Sequence, residues 1–124
     1  MSDPIGPLRL TVGQRARRTQ TVTARDVELY AEITGDRNPL HFDADFAART
    51  RFGRLVAQGG IASGMLNALV AMDLPGAGTV FMSQTLSYKA PTYLGDTLTA
   101  EVEVLSLGTV VLDGECWTYT LRPA

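Results

Sequence analysis

The hydrophobic pattern of this chain predicts a strand near its start, then helices up to residue 73, and switches to a period of two from residue 79. Residues 15–22 are rich in Thr and Val and predict a first strand. Thr23 and Asp26 then have the spacing of a capping-box variant, which predicts a helix start. Gly35 can end that helix in the left-handed conformation. Four residues share one face of the helix: Val27, Tyr30, Ala31 and Thr34.

Two more helices are predicted before residue 75. Residues 43–50 favour a short helix with Phe46 and Ala47 facing inward. Residues 60–73 form the most apolar segment, and no face of this third helix is fully polar, which is typical of a buried helix. Its large apolar residues are Ile61, Met65, Leu66, Leu69, Val70 and Met72. Its small residues, which allow another backbone to approach, are Gly60, Gly64, Ala68 and Ala71.

The second half of the chain predicts strands. Apolar residues alternate with Ser and Thr over residues 80–88, and a clearer alternation over residues 98–104 predicts a strand with one buried face. Residues 109–121 predict a last strand, interrupted at Gly114. Residues 105–108 are few enough for a tight hairpin with Gly108 at the turn. We therefore expect one α+β domain over residues 1–124, with an antiparallel sheet of about four strands around a central helix.

Composition excludes several classes of protein. Of the 124 residues, 45% are hydrophobic and 19% are charged, which suits a compact core, and the net charge of −2 gives no indication of nucleic-acid binding. Cys116 is the only cysteine, so an internal disulfide and a Cys-rich metal site are excluded; it is expected to pack in a strand. No segment resembles a signal peptide or reaches membrane-spanning length, and we expect a cytoplasmic protein.

The candidate chemistry lies in the hexapeptide at residues 36–41. Asp36 and His41, the only histidine, stand at either end of a bend that Asn38 and Pro39 favour. The two titratable groups are near enough in sequence to share one water or one substrate oxygen. Alone, Asp36 would be interpreted as an ordinary turn residue and His41 as a surface histidine.

A second chemical feature follows at residues 57–60. Gly59 and Gly60 open the apolar helix, and bare N–H groups at a helix start stabilise developing negative charge. An acid/base pair together with such an oxyanion donor can form an active site.

Residues 30–41 contain the motif G-D-x-N-P-x-H, which resembles the signature of the MaoC-like, R-specific enoyl-CoA hydratases (hydratase 2). The resemblance continues through residues 47–53, the glycine helix start and three later landmarks at residues 74–76, 90–91 and 95–96. It implies a hot-dog fold and the reversible hydration of trans-2-enoyl-CoA to (3R)-3-hydroxyacyl-CoA. It also implies that no metal or prosthetic group is required and that the chain forms a homodimer or a larger homo-oligomer. From the charge and the hydropathy we expect neither nucleic acid nor membrane as a partner.

The resemblance also assigns roles to residues. It implies that Asp36 is the base, that Asp36 and His41 hold the water, that Asn38 orients the site and that the Gly59 N–H is the oxyanion donor. Three further residues are expected to bind substrate: Gly60, Gln58 and Asn67. Asn67 stands where relatives often place a serine that supports the aspartate; a buried amide satisfied by a backbone carbonyl is an equally good interpretation. Four cations could meet the phosphates of coenzyme A or be solvated charges: Arg49, Arg51, Arg54 and Lys89.

The sequence departs from the family pattern in two ways. Gln58 stands where the family usually has histidine, and the C-terminal part is short by about one strand. We therefore expect the last strand to pair directly with residues 98–104, and an assembly to cover the apolar helix face that the short sheet leaves open. Two alternatives remain: an acyl-CoA thioesterase on the same scaffold and a non-catalytic acyl-CoA-binding subunit. The presence of both Asp36 and His41 argues against the second alternative, whereas Gln58 in place of the family's usual histidine and the short C-terminal part argue for it.

Overall fold

The computed structural model describes residues 10–81, 83–107 and 115–123. Within them, the elements in chain order are β1 (Arg15–Thr21), α1 (Ala24–Thr34), α2 (Pro39–Phe42), α3 (Ala44–Ala48), α4 (Gly59–Met72), β2 (Thr97–Leu107) and β3 (Glu115–Pro123).

The three described strands form one antiparallel sheet in the order β1-β2-β3. β1 pairs with β2 from Arg15 opposite Glu103 to Thr21 opposite Thr97. β3 pairs with the other edge of β2, and its register shifts between Val104 and Ser106. The predicted pairing of the last strand with residues 98–104 is therefore confirmed. β2 continues to Leu107, so residues 105–107 belong to this strand and not to the predicted hairpin turn; Gly108 and Gly114 lie outside the described residues.

Helix α4 packs against the sheet because apolar residues on one of its faces meet the alternate apolar residues of β2. One buried cluster joins the two elements through Leu66, Leu69, Val70, Leu74, Ala100, Val102 and Val104. A second cluster joins the start of α4 to α1 and consists of Val22, Val27, Ala57, Ala62 and Leu98. The predicted α+β arrangement, an antiparallel sheet against a central helix, is present in the described residues.

The local signals around α1 are confirmed. Thr23 caps the helix, its hydroxyl accepts from the Asp26 N–H, and the Asp26 carboxylate accepts from the Thr23 N–H. Gly35 ends the helix with φ at 80°, the left-handed region that glycine occupies without a steric penalty. These caps fix where the helix stops, and therefore where Asp36 begins the next turn.

Four predictions are corrected. Residues 79–81 and 83–89 contain no strand, because alternation alone does not give the main chain a neighbouring strand to pair with. The described sheet accordingly has three strands instead of about four. Phe46 is exposed, and Ala47 alone of that pair is buried. The central helix is not buried on all sides, since the side formed by Gly64, Ala68, Ala71 and Met72 is exposed.

Candidate active site

A short helix and a backbone carbonyl orient the imidazole of His41. His41 lies in α2 rather than in an open bend, and its side chain is 11% exposed. The Nδ1 atom is 2.7 Å from the carbonyl oxygen of Val56. Because a carbonyl can only accept, Nδ1 carries the proton in this hydrogen bond. In the neutral ring, Nε2 is therefore left as an acceptor.

One oxygen of the Asp36 carboxylate accepts a hydrogen bond within the turn, whereas the other faces His41. Oδ1 accepts a hydrogen bond of 3.2 Å from the Asn38 N–H, and the Asp36 N–H donates to the hydroxyl of Thr34. Oδ2 points to His41 and lies 3.8 Å from Nε2. This distance is too long for a direct hydrogen bond, but a water oxygen can be within hydrogen-bonding distance of both atoms.

Asn38 builds the turn between these two groups. Its Oδ1 accepts from the Leu40 N–H at 3.0 Å, so Asn38 is the N-cap of α2, and Pro39 occupies the first helical position. The main-chain N–H of Asn38 donates to the carboxylate of Asp36. The predicted bend is therefore a cap followed by one helical turn, and that turn brings His41 beside Asp36.

The two glycines at the start of α4 are closely covered by tyrosines. A Cβ at Gly60 would overlap the phenol ring of Tyr30, and a Cβ at Gly59 would lie 3.0 Å from Cε1 of Tyr88. The first N–H groups of an α-helix have no acceptor within the helix, and α4 begins at Gly59. Gly59 and Gly60 therefore each carry a main-chain N–H group that has no acceptor within α4.

A cleft of about 790 Å³ lies beside these groups. His41 and Gly59 line it, as do Arg51 and Lys89. Its apolar lining includes Leu40, Phe52, Val56, Ala57, Ala62, Leu66, Leu86 and Leu98. Asp36 is not a lining residue and meets the cleft through His41. The cleft therefore combines an apolar wall, two cations, an imidazole acceptor and a helix N-terminus.

The MaoC-like domain family profile matches residues 10–115 of this chain. The chain belongs to the MaoC-like domain family. The resemblance of the motif at residues 30–41 is confirmed by this match.

Two curated relatives support the assignment. The chain is 44% identical over 98 residues to the 3-hydroxybutyryl-CoA dehydratase of Methylorubrum extorquens, covering 79% of this chain and 62% of the relative. It is 42% identical over 98 residues to the (R)-specific enoyl-CoA hydratase of Aeromonas caviae, covering 79% of this chain and 73% of the relative. This MaoC-like chain thus spans less than two thirds of the length of the first relative.

A solved structure establishes the fold of this MaoC-like chain. The (R)-hydratase from A. caviae involved in PHA biosynthesis superimposes with a TM-score of 0.85 at 37% identity, covering 92% of this chain and 86% of that one. The expected hot-dog fold is thereby confirmed.

Gln58 of this MaoC-like chain is buried rather than open to the cleft. Its side chain is among the largest that are fully buried, and the residue is 2% exposed. Nε2 donates to the carbonyl of Val27 at 3.1 Å and to that of Asp36 at 3.4 Å. Because it does not line the cleft, the expected direct contact between Gln58 and substrate is not supported.

Asn67 is also separated from the other predicted residues. It lies two turns after Gly59 on α4, and its Oδ1 accepts a hydrogen bond of 2.9 Å from Gln84. It does not line the cleft. The structure thus brings together Asp36, Asn38, His41, Gln58 and Gly59, places Gly60 under Tyr30, and does not bring Asn67 to Asp36.

The four candidate cations divide into two groups. Arg51 and Lys89 line the cleft. Arg54 stacks on Tyr93, with its guanidinium carbon 4.0 Å from the ring centroid, and Arg49 is the C-cap of α3. Only the first two are placed to meet an anionic ligand in the cleft.

Two contacts of the site are not indicated by any motif in the sequence. Val56 holds His41 through a main-chain carbonyl, which no side-chain motif reveals. The alternation over residues 80–88 predicts Tyr88 on a strand, whereas in the structure Tyr88 covers Gly59 from an irregular segment. The described residues contain no group of three or more His, Cys, Asp and Glu able to hold a metal ion. None of the helices described has both the length and the apolar character needed to cross a bilayer.

Proposed function

We propose that this MaoC-like protein is an R-specific enoyl-CoA hydratase, which adds water reversibly to trans-2-enoyl-CoA to give (3R)-3-hydroxyacyl-CoA. The observation that carries the proposal is the 3.8 Å separation of Asp36 Oδ2 and His41 Nε2 beside the N-terminus of α4. The names of the relatives, a 3-hydroxybutyryl-CoA dehydratase and an (R)-specific enoyl-CoA hydratase, support both the reaction and its stereochemistry.

The two side chains act on one water. Asp36 Oδ2 and the unprotonated His41 Nε2 are both acceptors, so they accept from the two hydrogens of the water and leave an oxygen lone pair for attack. As the oxygen bonds to the β-carbon, the water loses one proton to this pair, with Asp36 as the base. The α-carbon then takes a proton from the same pair, so that H and OH are added and the site is restored.

The N-terminus of α4 stabilises the intermediate charge. When water attacks the β-carbon, the π electrons move toward the thioester oxygen, which becomes an enolate oxygen. The Gly59 N–H, at a helix start that lines the cleft, donates to this oxygen. Gly60 contributes by leaving room for Tyr30, which packs against the helix start.

The cleft fits the two ends of a coenzyme A thioester. The apolar wall suits an acyl chain, and Arg51 with Lys89 suits the anionic phosphates of coenzyme A. Water addition forms one C–O and one C–H bond without net oxidation, so we propose that no metal or prosthetic group takes part.

A homodimer or larger homo-oligomer is part of the proposal. The Asp36 side chain is 39% exposed, whereas electrostatic catalysis is strongest in a site shielded from water. Exposed apolar residues lie in the cleft wall and at the end of α4: Leu86 and Tyr88 line the cleft, and Met72 is the last residue of α4. A second copy that covers them would also shield Asp36.

The test is to mix the purified protein with crotonyl-CoA and follow the conjugated-enoyl absorbance while a chromogenic thiol reagent reports free coenzyme A. Loss of absorbance without thiol release, with a product oxidised by an R-specific but not an S-specific 3-hydroxyacyl-CoA dehydrogenase, is the expected result. Thiol release would identify a thioesterase. Neither signal, in the presence of measured acyl-CoA binding, would identify a non-catalytic subunit.

A further inference from the structure

Gln58 joins three parts of the site through one buried side chain. It is the N-cap residue of α4, directly before Gly59, and is 2% exposed. Its amide Nε2 donates to Val27 in α1 and to the main-chain carbonyl of Asp36. The proposed oxyanion donor is therefore one peptide bond from a residue that is hydrogen-bonded to the proposed base.

The orientation of the amide is fixed by its neighbours. Both acceptors facing Nε2 are carbonyl oxygens, so exchanging the oxygen and nitrogen of Gln58 would place an acceptor against two acceptors. In the observed orientation, Oε1 is buried and has no hydrogen-bond partner among the described residues. The amide also makes no capping bond to α4.

The buried amide of Gln58 both destabilises and stabilises the folded state. A buried acceptor without a partner destabilises the folded state, and an apolar side chain of similar length would remove it. What such a side chain could not replace is the pair of hydrogen bonds to Val27 and Asp36. The contact with Asp36, at 3.4 Å, is the longer and weaker of the two.

We infer that Gln58 is a positioning residue for the hydration proposed above: it holds the turn that carries Asp36 at a fixed distance from the Gly59 N–H. The base and the oxyanion donor belong to different elements, and water attack and enolate stabilisation require both at once. Small displacements of a reacting group lower the rate of a positioned reaction strongly. The expected effects on kcat rest on the proposed function, whereas the expected effect on the structure of the turn does not.

The decisive variant is Gln58→Met, which keeps the length of the side chain and removes both the donor and the orphan acceptor. With crotonyl-CoA we expect kcat to fall roughly tenfold while KM stays within about twofold, because the loss is in alignment and not in substrate contact. Gln58→His, which retains a ring N–H donor, should recover most of the lost kcat. Gln20→Met makes the same change at an exposed position of β1 and should leave kcat unchanged.

A second control separates positioning from stability. Val102→Ala removes volume from the core cluster between α4 and β2, away from the turn, and should lower the melting temperature without changing kcat per folded molecule. If Gln58→Met keeps the wild-type kcat, or loses activity only in proportion to its folded fraction, the inference is overturned.

Hydrogen–deuterium exchange gives a readout that does not depend on catalysis. The N–H groups of Asn38, Leu40 and His41 are hydrogen-bonded within the turn. In Gln58→Met they should exchange faster, while in Gln20→Met they should not. Faster exchange in a protein that lacks hydratase activity would keep the positioning role and reject the proposed reaction. Unchanged exchange would reject the positioning role whatever the activity.

Discussion

The phenol ring of Tyr30 occupies the space that a Cβ at Gly60 would need. Tyr30 comes from α1 and Gly60 from the first turn of α4, so the contact sets how closely the two helices approach. Only a residue without a side chain permits this approach. Gly60, which the sequence predicts to bind substrate, therefore has a packing role between the two helices.

This contact predicts that Gly60→Ala is destabilising. The added Cβ forces the Tyr30 ring to move, and overpacking of this kind typically costs about 1–3 kcal/mol in the free energy of unfolding. The matched control is Gly59→Ala, where the Cβ would meet only the edge of the exposed Tyr88 ring. Urea unfolding of both variants is the measurement. Equal stability of the two alanine variants would contradict the packing role of Gly60.

At Gly59 the expected effect is on turnover. Gly59→Val places a branched side chain beside the N–H that is proposed to meet the thioester oxygen, while Tyr88 can move aside because it is 61% exposed. Losing an oxyanion donor costs about a hundredfold to a thousandfold in kcat. We expect a loss in that range with only a small change in melting temperature. A fall in stability large enough to account for the lost activity would count against the oxyanion role.

The proposed acid/base pair predicts large losses of hydration in Asp36→Asn and His41→Gln. Removing one such group lowers the rate by about a hundredfold to ten-thousandfold. Asp36→Asn should remain folded because its amide oxygen can still accept from the Asn38 N–H. Asp43→Asn, which retains the cap of α3, is the matched control and should hydrate crotonyl-CoA at the wild-type rate. Either site variant that keeps most of the activity would rule out this pair.

A pH-dependent contribution to stability is expected from Arg18 and Asp73. The Arg18 guanidinium donates to both carboxylate oxygens, at 2.6 and 2.7 Å, and this hydrogen bonding lowers the pKa of Asp73 below its ordinary value. A lowered folded-state pKa means that the stabilisation is present above the unfolded pKa and is lost as the pH falls through the folded one. The difference in stability between wild type and Asp73→Asn should therefore be small but present at pH 7.

That difference should begin to shrink below about pH 4, where the carboxylate becomes protonated in the unfolded state, and should vanish once the pH is below the lowered folded-state pKa. It should also shrink with added salt, since the pair is exposed at the surface. Thermal unfolding across pH 2–7 at two salt concentrations measures it. A difference that is constant with pH would mean that the ion pair contributes nothing to stability.

The exposed face of α4 predicts self-association. Gly64, Ala68 and Ala71 form a surface of small residues next to Met72, which is 68% exposed. We expect a dimer or larger assembly to cover this face and the isolated protomer to be unstable. Analytical ultracentrifugation across a dilution series is the test, with Gly64→Leu as the variant, because a Cβ at Gly64 meets nothing within 4 Å in the protomer. A well-folded wild-type monomer at low concentration would refute the prediction.

The local parts of the fold were predictable because their signals are contained in a few neighbouring residues. Thr23, Asp26 and Gly35 define α1 through capping chemistry that does not depend on the rest of the molecule. The motif at residues 36–41 was likewise sufficient to expect Asp36 beside His41. The sequence also indicated that the last strand pairs with residues 98–104, but it did not indicate which distant residues contact the site.

The strand predicted over residues 80–88 illustrates this limit. Alternation shows that a segment can present two faces, but a strand also needs a neighbour for its main-chain hydrogen bonds. No strand pairs with this segment in the described residues, and Val80 is 75% exposed there. The surroundings of Gln58 also depend on residues distant in the chain. The family resemblance implies a contact between Gln58 and substrate, which stays a prediction, whereas the acceptors of its amide come from α1 and the Asp36 turn.

The two members of the proposed acid/base pair differ in whether a substitution can remove a group that holds them. The acceptor that orients His41 is the main-chain carbonyl of Val56, and every amino acid supplies a carbonyl, so no substitution at position 56 deletes that acceptor. The carbonyl of Asp36, in contrast, is tied down by the side chain of Gln58, which a single codon change can remove. In a library of random variants, position 56 should therefore tolerate many side chains of similar size, while position 58 should tolerate few. The group that orients the histidine therefore belongs to the backbone, whereas one of the groups that hold the aspartate main chain belongs to a replaceable side chain.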